Sequence, residues 1–151
     1  MTALATQLAT IFGIGRLPFA PGTLASLAAL PFAWAISFYA GSYVLAGAAL
    51  VAFAAGIWAS GIYARAVGND DPGACVIDEV AGQWLACALS PLSLLGYALA
   101  FLLFRAFDIT KLWPVSSAEK LPGGLGIMAD DIVAGLIAGI IVAVFANAGL
   151  I

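Results

Sequence analysis

Ser90-Pro91-Leu92-Ser93 is the stretch on which the fold of this chain turns. It interrupts a long apolar run, Val80 to Phe104, that contains no charged residue. Read as one helix, that run would place Asp78 and Glu79 on one side of a bilayer and Arg105 and Asp108 on the other. Read as two helices that reverse at Pro91, it brings every charge of the chain to one side. Proline and serine clusters punctuate helices, and a helix from Pro72 to Leu89 would already be about 27 Å long at 1.5 Å per residue, close to the hydrocarbon thickness. The reversal is therefore the expected topology.

The rest of the sequence fits that frame. All eight acidic and five basic residues fall around Arg16, between Arg65 and Glu79, and between Arg105 and Asp131. The 151 residues are 64% hydrophobic and 9% charged, against about 25% charged in soluble domains. This is the composition of an integral membrane protein. The N-terminus lacks the charged region and small-residue cleavage site of a signal peptide, so the first span is expected to direct insertion. The expected fold is all-α: a polytopic membrane bundle of four to five spanning or near-spanning helices plus a short N-terminal interfacial helix, in one domain over 1–151.

Local signals place the elements. Leu4, Leu8, Ile11 and Phe12 share a face, so an interfacial helix is expected from Thr2 to Phe12. Thr23 is the expected N-cap of a first span to about Tyr39. Gly41-Ser42 turns the chain into a second span, Val44 to Ala64. Asp71-Pro72 is the expected start of the next helix, with Asp as N-cap and Pro at the first position. Leu94 to Phe107 follows the reversal, then a loop from Leu112 to Ala129. Asp130 or Asp131 is expected to cap a last span that runs to about Gly149. The excess of Arg and Lys in the loops puts them in the cytoplasm.

Composition also excludes chemistry. There is no histidine, which removes Ser-His and Cys-His triads, His-ligated zinc and phosphohistidine. Net charge is -3 and no basic run exists, so nucleic acid is not an expected partner. Cys75 and Cys87 are too few for a disulfide framework and read as packing residues. Carboxylates without His or Cys suit hard cations such as Mg²⁺ or Mn²⁺.

Asp78-Glu79-Val80-Ala81-Gly82 resembles Asp131-Ile132-Val133-Ala134-Gly135. Each puts a carboxylate four residues before a glycine on one helical face, and Ala86 and Gly139 continue the small-residue stripe. Such stripes let membrane helices approach closely. Approach would gather Asp78 and Asp131, with Glu79 and Asp130 beside them, and acids gathered at membrane depth call for a cation. The plainer alternative, solvated helix caps, suits Asp130 and Asp71 better than Asp78 and Glu79, because ionisable groups inside a membrane helix are usually functional. Arg105, Asp108 and Lys111 recur on one face. They read either as a self-paired interfacial cluster or as an anion clamp beside the metal. The glycines at 13–15 and 123–126 lack the spacing of a phosphate-binding loop; they are simple turns or backbone donors to phosphate. Gly135 to Gly139 is a GxxxG motif, which serves packing within one chain or between copies in a homo-oligomer.

Several motifs together carry a family resemblance: Ala20-Pro21-Gly22-Thr23 with Ser26; Val76-Ile77-Asp78-Glu79 with Gly82 and Trp84; Phe104-Arg105 with Asp108, Lys111 and Trp113-Pro114; and Gly124 to Asp131 with Ala134-Gly135. In order and spacing, from about Gly13 to Gly139, they resemble the phosphatidylglycerophosphatase A family. Leu112, where the family usually has Pro, and Ala25, where Gly is usual, depart from the pattern without touching a charged residue. The resemblance implies a Mg²⁺-dependent enzyme of the bacterial inner membrane, with its site on the cytoplasmic face. Its reaction converts phosphatidylglycerophosphate to phosphatidylglycerol and phosphate, a step of anionic phospholipid synthesis. On that reading Asp78, Glu79, Asp130 and Asp131 hold metal, and Asp71 and Asp108 are outer ligands or orienting groups. Arg105 and Lys111, with Arg16 and Thr23, meet phosphate. Two other classes are weighed against it. An intramembrane aspartyl protease would need Gly-x-Gly-Asp, but Ile127 follows Gly126; a small transporter or assembly subunit would hold intramembrane charges without releasing phosphate.

Overall fold

A computed structural model describes residues 2–151. Among them the regular structure is entirely helical: α1 (Thr2–Ala9), a single 3-10 turn (Ile14–Arg16), α2 (Pro21–Ala40), α3 (Ser42–Val67), α4 (Ile77–Leu89), α5 (Leu94–Thr110), α6 (Val115–Ala118) and α7 (Gly124–Asn147). Three helices, α2, α3 and α7, are long and apolar enough to cross a membrane. The shorter α4 and α5 form the hairpin between them.

The chain does reverse at Ser90–Ser93. Arg105, near the end of α5, lies 3.8 Å from Glu79 in the first turn of α4, which a continuous helix could not allow. With 13 residues, α4 is only about 20 Å long, shorter than a hydrocarbon core of about 30 Å, so the reversal lies at membrane depth. Bare polar backbone there is expensive, and the turn satisfies its own. The Ser90 hydroxyl donates to the Ala86 carbonyl at 2.8 Å, Ser90 N–H to Cys87 and Ser93 N–H to Pro91. The Ser93 hydroxyl caps α5 by accepting from Gly96 N–H at 3.0 Å.

Several expected boundaries move. α4 starts at Ile77 rather than Pro72. The Pro72 carbonyl accepts from Cys75 N–H in a turn, and Val76 N–H donates to Ala9 at the end of α1, so a tertiary bond replaces the helix start. α1 stops at Ala9, and Ile11 and Phe12 turn left-handed (φ 44° and 53°). Thr23 lies inside the first turn of α2, which starts at Pro21 behind a left-handed Ala20. Asp130 and Asp131 cap nothing. α7 already begins at Gly124, within the stretch expected to be loop, which also holds α6.

Helices α2, α4 and α7 begin, and α1, α3 and α5 end, at the same charged end of the bundle. Gly22 of α2 faces Glu79 of α4, and Gly61 of α3 faces Gly124 of α7. α4 is the central strut, packed against α7, α3, α2 and α5.

Candidate active site

The site is built on one crossing. At Gly82 and Gly135, α4 and α7 meet backbone to backbone. A Cβ on Gly82 would lie 2.5 Å from the Asp131 carbonyl oxygen, and one on Gly135 would meet the Gly82 carbonyl. One turn deeper, Gly139 lies against Leu89 and the Ala86 carbonyl. The two helices run parallel in matched register, so the acids four residues before each glycine are brought together. Asp78, Glu79 and Asp131 each present a carboxylate oxygen, all within 4.8 Å of one another.

Two of these oxygens, Glu79 Oε2 and Asp131 Oδ2, are buried without a hydrogen-bond partner, and Asp131 is only 2% exposed. A buried polar atom normally has a partner, and a buried carboxylate without one is costly. Three converging carboxylates, two of them with a free buried oxygen, are the donor set of a hard divalent cation. The residues fit a metal on this observation alone.

Cations surround the acids on one side. Arg105 pairs with Asp108 one turn on and reaches Glu79 at 3.8 Å. Gly22 makes room for this: a Cβ there would run into Glu79 Oε1 and lie 3.2 Å from Arg105 Nη2. Arg105 Nε is buried with no partner. Part of the guanidinium fork is therefore committed to holding Asp108, and part remains for an oxygen that arrives.

Asp130 stands apart from the three acids. It is buried, but its Oδ2 accepts from Lys111 Nζ at 3.1 Å, and Lys111 also binds Glu119 Oε1 at 2.6 Å. Burial works against the lysine charge, but hydrogen bonds and charge from Glu119 and Asp130 outweigh it and hold its pKa above the ordinary lysine value. Glu119 was not singled out by sequence; an exposed acid in a Pro- and Ser-rich loop, eight residues past its partner, carries no local signal. Asp71 lies outside the cluster too. With Asp70, Glu119 and Asp130 it lines an open cavity of about 400 Å³ beside α7. Arg16 is exposed at the end of the 3-10 turn. Thr23 is half-buried in the first turn of α2, next to Gly22.

The family model of phosphatidylglycerophosphatase A matches residues 7–146, and this span holds every residue of the crossing. The chain belongs to the phosphatidylglycerophosphatase A family. It is 36% identical to phosphatidylglycerophosphatase A of Escherichia coli K12 over 132 residues, 86% of this chain and 76% of that one. It is equally identical, 36%, to the phosphatidylglycerophosphatase A of Haemophilus influenzae over 137 residues, 89% and 84% of the two chains. A Bacteroides thetaiotaomicron protein described as a "putative phosphatidylinositol-3-phosphatase" is 36% identical over 148 residues, 93% and 92% of the two chains. No solved structure matches. Membership makes this chain a membrane-embedded hydrolase of the lipid-phosphatase class, and the three-acid crossing is its candidate catalytic centre.

Proposed function

We propose that the protein hydrolyses phosphatidylglycerophosphate to phosphatidylglycerol and inorganic phosphate in a Mg²⁺-dependent reaction, as a step of anionic phospholipid synthesis. The observation that carries the reading is the trio Asp78, Glu79 and Asp131, with two unpartnered oxygens beside the free Arg105 Nε. Similarity to the E. coli and H. influenzae enzymes supplies the substrate.

Asp78, Glu79 and Asp131 hold the cation. A divalent ion so held would polarise a phosphoryl oxygen and lower the pKa of a bound water. Arg105, kept in place by Asp108, binds a phosphate oxygen through Nε and offsets the charge that develops in the transition state. Lys111 bridges Asp130 and Glu119, and its contribution is to tie the second turn of α7 to the segment before it. Arg and Lys in the connecting segments put the charged end in the cytoplasm, and the lipid head group reaches the site from that leaflet of the inner membrane.

The test is phosphate release by purified protein in detergent from phosphatidylglycerophosphate, with phosphatidylinositol 3-phosphate as the competing substrate. Mg²⁺-dependent release, abolished by EDTA and in Asp78→Asn and Asp131→Asn, is expected. Well-folded protein that releases phosphate from neither lipid would overturn the phosphatase assignment. Preference for the inositol lipid would overturn the substrate and keep the chemistry.

A further inference from the structure

Small residues serve two opposite ends in this bundle. Along α4 and α7 they close a seam. Along α2 and α3 they face a gap. Ala25, Ala28 and Ala29 of α2 line one cavity of about 420 Å³. Gly47, Ala48 and Ala52 of α3 line an adjoining one of about 730 Å³. Both share Ile11, Val80 and Trp84, so they form one groove, with α2 and α3 as walls, α4 as floor and the end of α1 as roof.

We propose that this groove seats an acyl chain of the phosphate-bearing lipid, which rests on the phosphatase reading above. Three observations point to that occupant. First, the groove adjoins the candidate catalytic centre. Val80 on its floor follows Glu79, Ile77 precedes Asp78, and Ala25 lies one turn below Gly22, which touches Glu79. Second, its depth matches one leaflet. From Ala55 to Val44 along α3 is about 16 Å at 1.5 Å per residue, and half a hydrocarbon core is about 15 Å. Third, charge at its mouth fits a lipid head. Ile14 lines the groove; Arg16, two residues on, is exposed, and no described acid pairs with it. A phosphodiester there would leave the terminal phosphate free to reach Arg105. On the floor, Trp84 is held by its indole N–H, which donates to the Ala29 carbonyl at 3.0 Å.

Gly47 offers a clean way to shorten the groove. A Cβ there meets nothing within 4 Å, so Gly47→Leu adds bulk to the groove end without a backbone clash. Activity is compared on dioleoyl and dihexanoyl forms of phosphatidylglycerophosphate in mixed micelles. The expected result is a fall of about tenfold in kcat/KM for the dioleoyl lipid, a loss of one decade of binding, with dihexanoyl turnover unchanged. An unchanged ratio between the two lipids, with dihexanoyl turnover intact, would overturn the groove. A dioleoyl lipid carrying a diazirine near the chain end provides a readout that needs no turnover. Labelling is expected at Ala48 and Trp84 above that at Leu136 and Ile140, which face outward on α7. Equal labelling of the two faces, or a protein–protein adduct across the groove, overturns the proposal. Wild-type protein inert toward both lipids would sink the phosphatase reading, while the labelling pattern would still decide the groove.

Discussion

α4 at its start and α7 two turns in share the pattern Asp-x-Val-Ala-Gly yet treat their second acid differently. In α4 the extra acid, Glu79, follows the repeated aspartate; in α7 the extra acid, Asp130, precedes it. One residue is 100° of helix rotation, and in two parallel helices that face each other a step forward on one and a step back on the other turn to the same side, here the end of α5. Glu79 turns toward α5 and stays in the carboxylate cluster beside Arg105. Asp130 meets the residue that ends the same helix and is neutralised by Lys111. A near-repeat thus yields three clustered acids and one anchoring acid, and the α5 cation that each extra acid meets, rather than residue type, separates the roles.

The strongest test of this difference is to remove each acid in turn. Asp78→Asn and Asp131→Asn each remove a clustered carboxylate, and each is expected to lower kcat about 1000-fold, the equivalent of several kcal/mol of transition-state charge stabilisation. Phosphate release at saturating Mg²⁺ reads it. Calorimetry with Mg²⁺ should lose its binding signal in both variants. Asp130→Asn is expected to cost only about 10–100-fold, as for a group that orients rather than ligates, and to keep the Mg²⁺ signal. Loss of Mg²⁺ binding in Asp130→Asn would break the comparison and return this residue to the metal site.

The seam itself comes next. Gly82→Ala and Gly135→Ala insert a methyl group into facing backbone, and overpacking of this kind costs about 1–3 kcal/mol. Thermal unfolding in detergent should show the loss. Gly47→Ala, with open space around its Cβ, is the control and should unfold no lower than wild type. Equal destabilisation by all three would mean that the two helices do not close on glycine.

The smallest effect concerns pH. A lysine pKa raised in the folded state adds stability that is fully present below the unfolded value and is lost as pH rises through the folded one. The Lys111 pairs with Asp130 and Glu119 should therefore hold across the neutral range and fail only above the ordinary lysine range. A melting-temperature profile of wild type against Lys111→Met reads it: the gap should stay flat through neutrality and close only in strong alkali.

What the sequence made legible were features signalled by residues that admit few conformations or few environments. Ser90-Pro91 marked the reversal because proline cannot continue a helix unpunished. The two glycines marked the crossing because only they let membrane helices touch. What it hid depended on distant partners. Gly124 and Gly126 read as loop, but a Cβ on them would strike the Ile57 and Leu121 carbonyls, so tertiary packing builds helix where propensity opposes it. The helix start expected at Pro72 gave way to a bond between Val76 and Ala9, which lie far apart in the chain. The separate position of Asp130 needed Lys111 and Glu119 to be seen together.

Three long helices start at the charged end, and α1, α3 and α5 finish there. Each helix start carries roughly half a positive elementary charge from aligned peptide dipoles, and each end half a negative one. Starts and ends therefore balance over the face as a whole, but two of the starts bear on the acids directly: Asp78 and Glu79 lie in the first turn of α4, while the start of α2 abuts Glu79 at Gly22. Before any ion arrives, the peptide backbone already softens the mutual repulsion of the acids. The backbone thus lets the fold gather the acids and leaves the rest of their negative charge for a cation to offset.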